Sequence, residues 1–418
     1  MNIWLVTIGE PIPHHNNKLR LHRTGIIAKY ISENTNHNVT WWTSDFNHFT
    51  KKHIFSVDTR FNPTSNFNVI ALSGKGYRSN VSIDRIIDHK EIANKFTIEA
   101  RNSLKPDIIV VAFPTLGLCE ACTALGKEWG IPVLIDYRDM WPEVFVEIAP
   151  NFMKNIVKLV LSPLFTKTKR TFSKATGIIG ITDGFLKLAL DKIKRGKNEY
   201  DGVFPLAYLA NQFTSIQLEE AAIFWENELP KSDKLRISFL GTLGHQFDFE
   251  TIVRAVDILN VQGIDNFEII LCGSGDKEKS LVDFSRKNTG IHLPGYMSAA
   301  QISALLTTSD IGLCPYNLNE AFLNSIPGKA IEYMSFGLPL LSTLKTGELG
   351  RLIDQHHIGF HYDHGSPESL ASEIENLIKI KYQLPFMKNR ILSVYNSKFD
   401  ADLIYRDYVK HLEKVVSK

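Results

Sequence analysis

A basic and an acidic residue stand three positions apart in the segment P-G-K-A-I-E-Y-M, which begins at Pro327. Residues three apart share one face of a helix, so Lys329 and Glu332 are predicted to point the same way. Ser325 is predicted to cap this helix, and proline suits its first turn because the missing N–H would be unbonded there. The free amides and the positive helix end then favour a diphosphate in front of Lys329, and Glu332 could accept hydrogen bonds from ribose hydroxyls. The alternative is an ordinary capped helix without a ligand.

Two glycine-rich turns follow predicted strands earlier in the chain. Strand 235–240 runs into G-T-L-G-H-Q-F-D, and strand 267–272 runs into G-S-G-D; a helix follows each turn. Glycines let the backbone approach a ligand closely, and a strand-to-helix turn presents amides to anions. Neither turn completes a dinucleotide or P-loop motif, which disfavours a dehydrogenase or an ATPase. A tight turn capped by Asp248 explains the first turn equally well, but the convergence of all three segments on one sheet edge favours a single site.

The composition is that of a soluble globular protein with two domains. The chain has 418 residues, more than one core usually holds, and 44% of them are hydrophobic and 22% charged. A net charge of +2 disfavours a nucleic-acid binder that works through a global basic field. We expect no secretory leader and no membrane span, and therefore a cytoplasmic protein. Cys119 and Cys122 are predicted to pack in a core rather than to bind metal or do redox chemistry.

Strand-like apolar runs alternate with amphipathic helices, which predicts parallel sheets built from βαβ units. The first series of predicted strands is 3–7, 39–43, 69–72, 108–112, 133–136 and 177–181. The second series is 235–240, 267–272, 291–293, 311–315 and 338–342. The expected organisation is therefore an α/β domain over residues 1–204, a second over 205–396, and a terminal helix over 397–418.

The order of these motifs resembles the retaining glycosyltransferases of family 4. The motifs are F-L-G-T-L-G, L-C-G-S-G-D and I-P-G-K-A-I-E-Y-M-S-F-G-L-P, with D-Y-R-D-M-W-P in the N-terminal half. The similarity covers the whole chain and is greatest to the bacterial surface-polysaccharide branch, which makes O-antigen or capsule. It implies a GT-B fold, in which two Rossmann-like domains face each other across a cleft, with the terminal helix packed back on the N-terminal domain.

The same resemblance implies an activity and its substrates. The enzyme would be a glycosyltransferase of the hexosyltransferase type that moves a sugar, with retention, from a nucleotide diphosphate donor. A UDP-sugar is the expected donor, and a lipid-linked saccharide is the expected acceptor. Two alternatives stay open: a nucleotide-sugar epimerase or hydrolase on this fold, and a non-catalytic scaffold of a polysaccharide assembly complex.

The resemblance also assigns roles to donor-site residues. The acid at Glu332 would bind the ribose, and an acid eight positions earlier would contact the donor sugar. Because Asn324 occupies that earlier position, the contact falls to Asn324, to main-chain groups or to Glu320. The basic residues usual in the family's phosphate loop are absent, which moves their role to Lys329. The predicted nucleotide-binding residues are Gly241, Thr242, Gly244, His245, Gly273, Gly275, Pro327, Gly328, Lys329 and Glu332. The predicted catalytic residues are Lys329, Glu332, Asn324 and Asp139.

The N-terminal domain is predicted to bind the acceptor. A basic loop over residues 9–25 feeds a helix, and a charged turn with a tryptophan follows the strand 133–136. A solvated loop and an internal salt bridge are the respective alternatives. The predicted acceptor contacts are Arg20, Arg23, Asp136, Arg138 and Trp141.

A basic amphipathic stretch without acidic residues lies between Glu147 and Asp183. It predicts either peripheral contact with the anionic inner face of the cytoplasmic membrane or a packed helix with a solvated basic face. No metal or other cofactor is expected. The pair His14–His15 lacks a carboxylate cluster, and the D-x-D at residues 400–402 opens a helix, where acids complement the helix dipole.

Overall fold

The computed structural model describes residues 1–14, 21–48, 50–79, 82–208, 213–229 and 232–417. The chain divides into two units, one of Met1–Pro205 with Asp402–Lys418 and one of Leu206–Ala401. Within the described residues, no helix combines the length and the apolar character that crossing a membrane requires.

A mainly parallel sheet organises the first unit. Its strands, β1 to β10 in chain order, are Asn2–Val6, Asn38–Ser44, Phe46–Asn47, Lys52–His53, Thr59–Thr64, Phe67–Leu72, Ile108–Phe113, Val133–Tyr137, Gly177–Gly180 and Gly202–Val203. Among the described residues, eight of these strands form one sheet in the order β10-β9-β8-β7-β1-β2-β6-β5. Every residue of β7 is buried, as expected of a parallel strand that is covered on both faces. β3 and β4 form a separate antiparallel hairpin.

The edge strand β5 was not among the predicted strands. It pairs antiparallel with β6, and its residues are alternately exposed and partly buried. Its sequence T-R-F-N-P-T lacks an apolar run and contains Pro63. Proline is tolerated at a sheet edge because one side of the strand has no ladder to complete. Apolar runs therefore identified the long buried strands and missed this half-exposed one, as they missed the short strands β3, β4, β10 and β16.

Helices cover the first sheet. The helices α1 to α7 are Arg23–Asn34, Ile83–Arg101, Leu116–Trp129, Glu143–Glu147, Lys154–Val160, Ser162–Phe172 and Asp183–Ile193. A short 3₁₀ turn, Asn151–Met153, precedes α5. The thiols of Cys119 and Cys122 are free and buried on α3.

The second unit holds a fully parallel sheet. Its strands, β11 to β16, are Leu235–Leu240, Phe267–Cys272, Ile291–Gly295, Ile311–Cys314, Leu340–Ser342 and Gly359–His361. Among the described residues they form one sheet in the order β13-β12-β11-β14-β15-β16. The helices that follow, α8 to α17, are Ser215–Glu228, Phe249–Val261, Glu278–Ser285, Ala299–Thr308, Glu320–Leu323, Gly328–Ser335, Gly347–His356, Pro367–Lys379, Lys388–Lys398 and Ala401–Val416. A 3₁₀ segment, Lys381–Met387, precedes α16.

The fold brings the turns after neighbouring strands of this sheet into contact. The amide of Gly241, just after β11, donates to the carbonyl of Cys272 at 2.9 Å. The amide of Gly273, just after β12, donates to the carbonyl of Gly295 at 2.7 Å. The ends of β11, β12 and β13 therefore form one continuous edge, as parallel strand order requires.

The C-terminal segment corrects one prediction. A single helix was expected from residue 397, but α16 ends at Lys398 and α17 begins at Ala401. The amides of Phe399 and Asp400 both donate to the carbonyl of Tyr395, at 2.7 and 3.1 Å, which ends α16. From residue 402 onward, α17 belongs to the first unit. Its Tyr408 ring packs edge-on against Phe204, with 5.0 Å between centroids.

Candidate active site

Lys329 lies directly against the glycine turn that follows β11. A methyl group placed on Gly241 would be 2.4 Å from Cε of Lys329 and 2.6 Å from its Nζ, and Gly241 has a φ of +128°. Both the backbone conformation and the available space therefore require glycine here. The predicted convergence of the lysine helix and the first glycine turn is thus present in the structure.

The ammonium of Lys329 is held in an aromatic and largely desolvated setting. Its Nζ lies 4.6 Å from the ring centroid of Phe247 and 5.5 Å from that of Phe239. Burial lowers the pKa of Lys329, while the negative charge of Glu332 acts in the opposite direction. A cation held in such surroundings interacts strongly with an anion placed beside it, because little water screens the pair.

The start of the lysine helix differs from the prediction in its cap. Pro327 itself is the N-cap of α13, with no side-chain cap hydrogen bond. Ser325 was expected to cap α13, but its hydroxyl donates to the carbonyl of Phe322 on the preceding helix. The amides of Ala330 and Ile331 donate to the Pro327 carbonyl at 3.0 and 3.4 Å. The two amides before them precede any intrahelical acceptor, and they carry the positive end of the helix dipole.

The glycine turns meet through their backbones. A methyl group on Gly273 would be 1.8 Å from the carbonyl oxygen of Gly241, and one on Gly275 would be 2.5 Å from that of Leu243. These glycines are therefore needed for the turns to pack against each other. The amide of Lys277 adds a bond of 2.9 Å to the Leu243 carbonyl.

The same packing engages most of the backbone amides of residues 241–244. The amide of Gly241 donates to Cys272, that of Leu243 to the carbonyl of Ser274 at 2.9 Å, and that of Gly244 to the carbonyl of Thr242 at 3.0 Å. Three of these four amides are thus already used inside the protein. Thr242 is exposed in this turn, close to the ammonium of Lys329.

The residues predicted to contact the ribose and the donor sugar lie on or beside the short helices α12 and α13. Glu332 lies on α13 and is buried, with 8% of its surface exposed. Asn324 directly follows α12, and its Nδ2 donates to the carbonyl of Glu320 at 2.8 Å and to the carboxylate of Glu320 at 3.2 Å. The two side chains predicted as alternative sugar contacts are therefore neighbours in the structure.

His245 occupies the exposed part of the first glycine turn. Its carbonyl accepts a hydrogen bond of 2.7 Å from Nδ2 of Asn317, which follows β14. Asp248 caps α9 by accepting from the amide of Thr251 at 3.1 Å. The turn capped by Asp248, which was the alternative to a phosphate loop, is thus present, and the same turn contacts Lys329.

In the first unit, three of the predicted acceptor contacts belong to an internal ion-pair network. Asp136 is fully buried on β8, and its Oδ2 accepts from Nε of Arg23 at 3.0 Å and from Nε of Arg138 at 2.9 Å. Arg138 also donates to Glu10 at 2.5 Å and to the hydroxyl of Thr24 at 3.1 Å. These groups form an internal ion-pair network that fixes α1 against the sheet, which is the salt-bridge alternative.

Arg23 completes this network. Its Nη1 donates to the carbonyl of Pro205 at 2.7 Å, and its guanidinium lies 5.8 Å from the ring centroid of Tyr408 on α17. Burial opposes the ionised form of Asp136, but the two guanidiniums outweigh it and lower the pKa of that carboxyl. Arg23 therefore joins three segments of the first unit instead of facing solvent.

The other predicted site residues of the first unit are Asp139, Trp141 and Arg20. Asp139 is exposed after β8, although its surroundings desolvate the carboxyl and raise its pKa. Trp141 is partly buried, and its ring packs edge-on against Phe113 with 6.0 Å between centroids. Arg20 lies outside the described residues.

The basic amphipathic stretch forms a surface with large exposed apolar side chains. Phe152 is 82% exposed and Leu159 is 74% exposed, and no residue of α5 is buried. Lys154 and Lys158 lie on the same short helix. We call this the α5 surface; its further exposed apolar members are Ile148, Met153, Ile156 and Val160.

Sequence reasoning missed the aromatic residues that position the lysine. Phe239 and Phe247 flank the ammonium, and the hydroxyl oxygen of Tyr333 accepts the Leu240 amide at 3.0 Å, which ties α13 to the end of β11. The only sequence signal was the aromatic content of F-L-G-T-L-G-H-Q-F, which by itself indicates core packing. Among the described residues, no group of three or more His, Cys, Asp or Glu side chains is arranged to hold a metal ion.

Comparisons with known proteins give one family model and several similar solved structures. Residues 221–391, within the second unit, match the family model described as "Glycosyl transferases group 1". The comparison with curated protein sequences found no significant match. Three similar solved structures are those of Anabaena Alr3699/HepE in complex with UDP, sucrose-phosphate synthase from Thermosynechococcus elongatus, and WaaG, a glycosyltransferase involved in lipopolysaccharide biosynthesis.

These likenesses extend over nearly the full length of both chains. HepE is 12% identical with a TM-score of 0.66, and covers 99% of this chain and 99% of its own. Sucrose-phosphate synthase is 13% identical with a TM-score of 0.71, covering 100% and 99%. WaaG is 13% identical with a TM-score of 0.65, covering 98% of each chain. At such identities the likeness establishes the fold, which is α/β with parallel sheets in two domains, as in GT-B glycosyltransferases.

Proposed function

We propose that this protein moves a sugar from a UDP-sugar to a lipid-linked saccharide in surface polysaccharide synthesis. The match of residues 221–391 to the group 1 glycosyltransferase model supports the transferase activity. The observation that carries the donor site is the ammonium of Lys329 against Gly241, beside the start of α13. One neighbour of similar fold, Anabaena HepE, has been solved in complex with UDP and with UDP-glucose, which supports UDP as the nucleotide. The sequence motifs shared with family 4 support the polysaccharide role and retention of configuration.

The chemistry is mostly electrostatic. As the anomeric carbon becomes cation-like, negative charge develops on the departing diphosphate. Lys329 and the first amides of α13 are placed to stabilise that charge, and Glu332 on the next turn is placed for the ribose hydroxyls. Asn324 and Glu320 are the candidates for the sugar itself. In the retaining mechanism we propose, the leaving phosphate oxygen takes the proton of the acceptor hydroxyl.

Two substitutions test the donor site. Lys329→Ala and Glu332→Ala should each lower the rate of sugar transfer by about 100-fold or more, because each removes a group that binds the donor. Glu219→Ala, an exposed residue on α8, is the matched control and should retain the rate. Near-normal transfer by both site variants would remove the assignment. Rapid release of free sugar in the absence of acceptor would instead indicate the hydrolase alternative.

The α5 surface is proposed as the membrane contact of the enzyme. Exposed apolar side chains beside lysines suit an interface with anionic lipid, where each basic residue contributes about 1 kcal/mol. The charge of the surface favours anionic lipid as its partner, because α5 carries Lys154 and Lys158 and no acidic residue. An acceptor anchored in lipid would then meet the enzyme at the bilayer.

Vesicle binding tests this contact. Wild-type protein should sediment with vesicles that contain phosphatidylglycerol and less with phosphatidylcholine alone, and Phe152→Asp with Leu159→Asp should abolish the difference. The control is Leu104→Asp, which changes a residue 78% exposed elsewhere in the same unit. Equal binding by the double variant and the control would refute the contact.

A further inference from the structure

A group of basic side chains surrounds one tyrosine in the first unit, away from the ion-pair network described above. The Tyr77 cluster consists of His48 and Lys51 from the β3–β4 hairpin, Tyr77 after β6, and Arg85 and His89 from the first turns of α2. Three separate elements thus bring two permanent cations and two imidazoles to one place.

The distances define the cluster. His48 Nδ1 lies 2.7 Å from the hydroxyl of Tyr77. Lys51 Nζ lies 4.9 Å from the centroid of the Tyr77 ring, and the guanidinium carbon of Arg85 lies 5.7 Å from it. The His89 ring is 6.1 Å from the same ring, in an edge-on orientation. Tyr77 itself is buried, so the basic groups are gathered around an apolar and poorly solvated centre.

This arrangement concentrates positive charge. Arg85 and His89 stand four residues apart on α2, where like charges destabilise a helix. The pKa of His48 is lowered to about 4, mainly by burial and then by the charges of Lys51 and Arg85. The pKa of His89 is also lowered to about 4, mainly by burial and then by Arg85 and His48. Burial and Arg85 also lower the pKa of Lys51. The groups therefore disfavour one another's charged forms, and a bound anion would reverse this effect.

The nearby acids have other contacts. Asp88 accepts the Gly76 amide at 2.7 Å in the turn before Tyr77, and burial raises its pKa. Asp139 interacts with Arg85 and accepts a hydrogen bond from the Met140 backbone. Glu91 affects Asp88 by its charge. Asp88 and Asp139 thus each accept a backbone hydrogen bond.

The position of the cluster in the fold also indicates a ligand site. His48 follows β2 through the short strand β3, and Tyr77 follows β6, so both come after the carboxyl ends of neighbouring parallel strands. Open parallel sheets bind their ligands at this edge. Lysine as a point charge and arginine as a planar fork are the usual phosphate-binding side chains.

We propose that the Tyr77 cluster binds a phosphate or diphosphate group, and that during sugar transfer this group belongs to the acceptor. The acceptor assignment rests on the proposed function, whereas the anion site itself does not. It follows that the acceptor is a saccharide whose reducing end carries a phosphate ester, with Lys51 and Arg85 bearing its charge and the imidazoles donating to its oxygens.

Calorimetry with inorganic pyrophosphate tests the site without any turnover. The titration uses Lys329→Met protein, so that the proposed donor site does not contribute. Adding Lys51→Met and Arg85→Met should weaken pyrophosphate binding at least about tenfold, because each removed charge contributed to a desolvated anion contact. Adding Lys90→Met instead, an exposed residue on the same helix, should leave binding unchanged. Equal affinity in the presence and absence of Lys51 and Arg85 would overturn the site.

A second measurement keeps the test valid if the double variant does not fold. In otherwise wild-type protein, histidine NMR should show that pyrophosphate raises the pKa of His48 and His89 from about 4. The charged groups that act on these rings are Lys51 and Arg85, and neither changes in the experiment. Unchanged histidine titrations at saturating pyrophosphate would refute the proposal.

Kinetics and vesicles then distinguish the source of the phosphate. If it belongs to the acceptor, Lys51→Met with Arg85→Met on the wild-type background should raise the KM for a soluble diphosphate-linked acceptor about tenfold, with the donor KM within about twofold. Binding to phosphatidylglycerol vesicles should not change. A loss of vesicle binding with normal acceptor KM would assign the cluster to lipid headgroups and overturn the acceptor assignment. Absence of any transfer by wild-type protein would refute the proposed function while leaving the pyrophosphate result to stand alone.

Discussion

Replacing Lys329 with methionine should separate function from stability. Methionine keeps an unbranched, apolar stem between Phe239 and Phe247 and removes only the charged end. We expect the variant to fold as stably as the wild type, within about 1 kcal/mol, yet to lose nearly all transferase activity.

The expected stability follows from the direction of the pKa shift. The lowered pKa of Lys329 means that its charged form is less favourable in the folded protein than in the unfolded chain. The stability penalty is therefore present at neutral pH and disappears as pH rises through the lowered pKa toward 10.5. Removing the charge loses two cation–π contacts worth about 0.5–2 kcal/mol each, but it also removes the larger desolvation cost. The net change in the free energy of unfolding should be close to zero or favourable.

The expected loss of activity follows from Coulomb's law. A unit charge about 4 Å from a diphosphate oxygen, at an effective dielectric constant of about 20, contributes about 4 kcal/mol. If this interaction acts in the transition state, its loss lowers kcat/KM by about 1000-fold, since each 1.36 kcal/mol is about tenfold. Calorimetry with UDP should show a parallel loss of affinity.

Lys381→Met is the matched control. Lys381 Nζ donates to the carbonyls of Asp233 and Lys234 at 2.8 and 3.0 Å, so its role is structural. This variant should lose stability in urea unfolding and keep its kcat/KM. If Lys329→Met instead unfolds and keeps its activity per folded molecule, the lysine is a packing residue and does not bind the donor diphosphate.

Three further predictions concern backbone, network and pH. Gly241→Ala should lower donor affinity and stability by about 1–3 kcal/mol through positive-φ strain and displacement of Lys329, whereas Gly263→Ala, which has open space, should show the strain alone in calorimetry and thermal unfolding. Asp136→Asn should lower the free energy of unfolding by about 3–5 kcal/mol in urea titrations, because the buried guanidinium of Arg23 loses its carboxylate partner and Arg138 keeps only Glu10; an unchanged midpoint would contradict the network. The His89 pKa of about 4 lies below the value near 6.5 expected when unfolded, so its contribution to stability falls as pH drops from 6.5 to 4, by about 1.4 kcal/mol per unit of difference. His89→Gln should flatten that part of the wild-type pH–stability curve, and an unchanged slope would show that the histidine is not the cause.

The strands and their order of appearance could be predicted from local pattern. Buried parallel strands such as β7 are continuous apolar runs, and helices such as α9 repeat their apolar residues at helical spacing. Burial on one or both faces fixes these periods regardless of the rest of the chain. Edge strand β5, the short strands β3, β4, β10 and β16, and the break between α16 and α17 were not predicted, because none of them creates or interrupts a long apolar run.

Only part of the candidate site could be predicted from the sequence. The spacing of Lys329 and Glu332 placed both on one helix, and the glycines after β11 and β12 predicted close backbone approach. The sequence could not tell whether those glycines free their amides for a ligand or use them to pack one turn on another. In the structure these glycines pack one turn on the other, because the carbonyl of Gly241 occupies the space that a side chain at position 273 would need.

The sequence by itself determined which segments form strands and helices and which charged residues lie at their ends. Only the tertiary structure decided which of those charges face one another. Arg23 and Asp136 are 113 positions apart and form a buried pair, whereas Lys329 turns its charge toward a glycine turn and two aromatic rings. The physical reason is that secondary structure depends on neighbours a few residues away, while the pairing of a buried charge depends on whichever distant group the packed fold brings within a few ångströms.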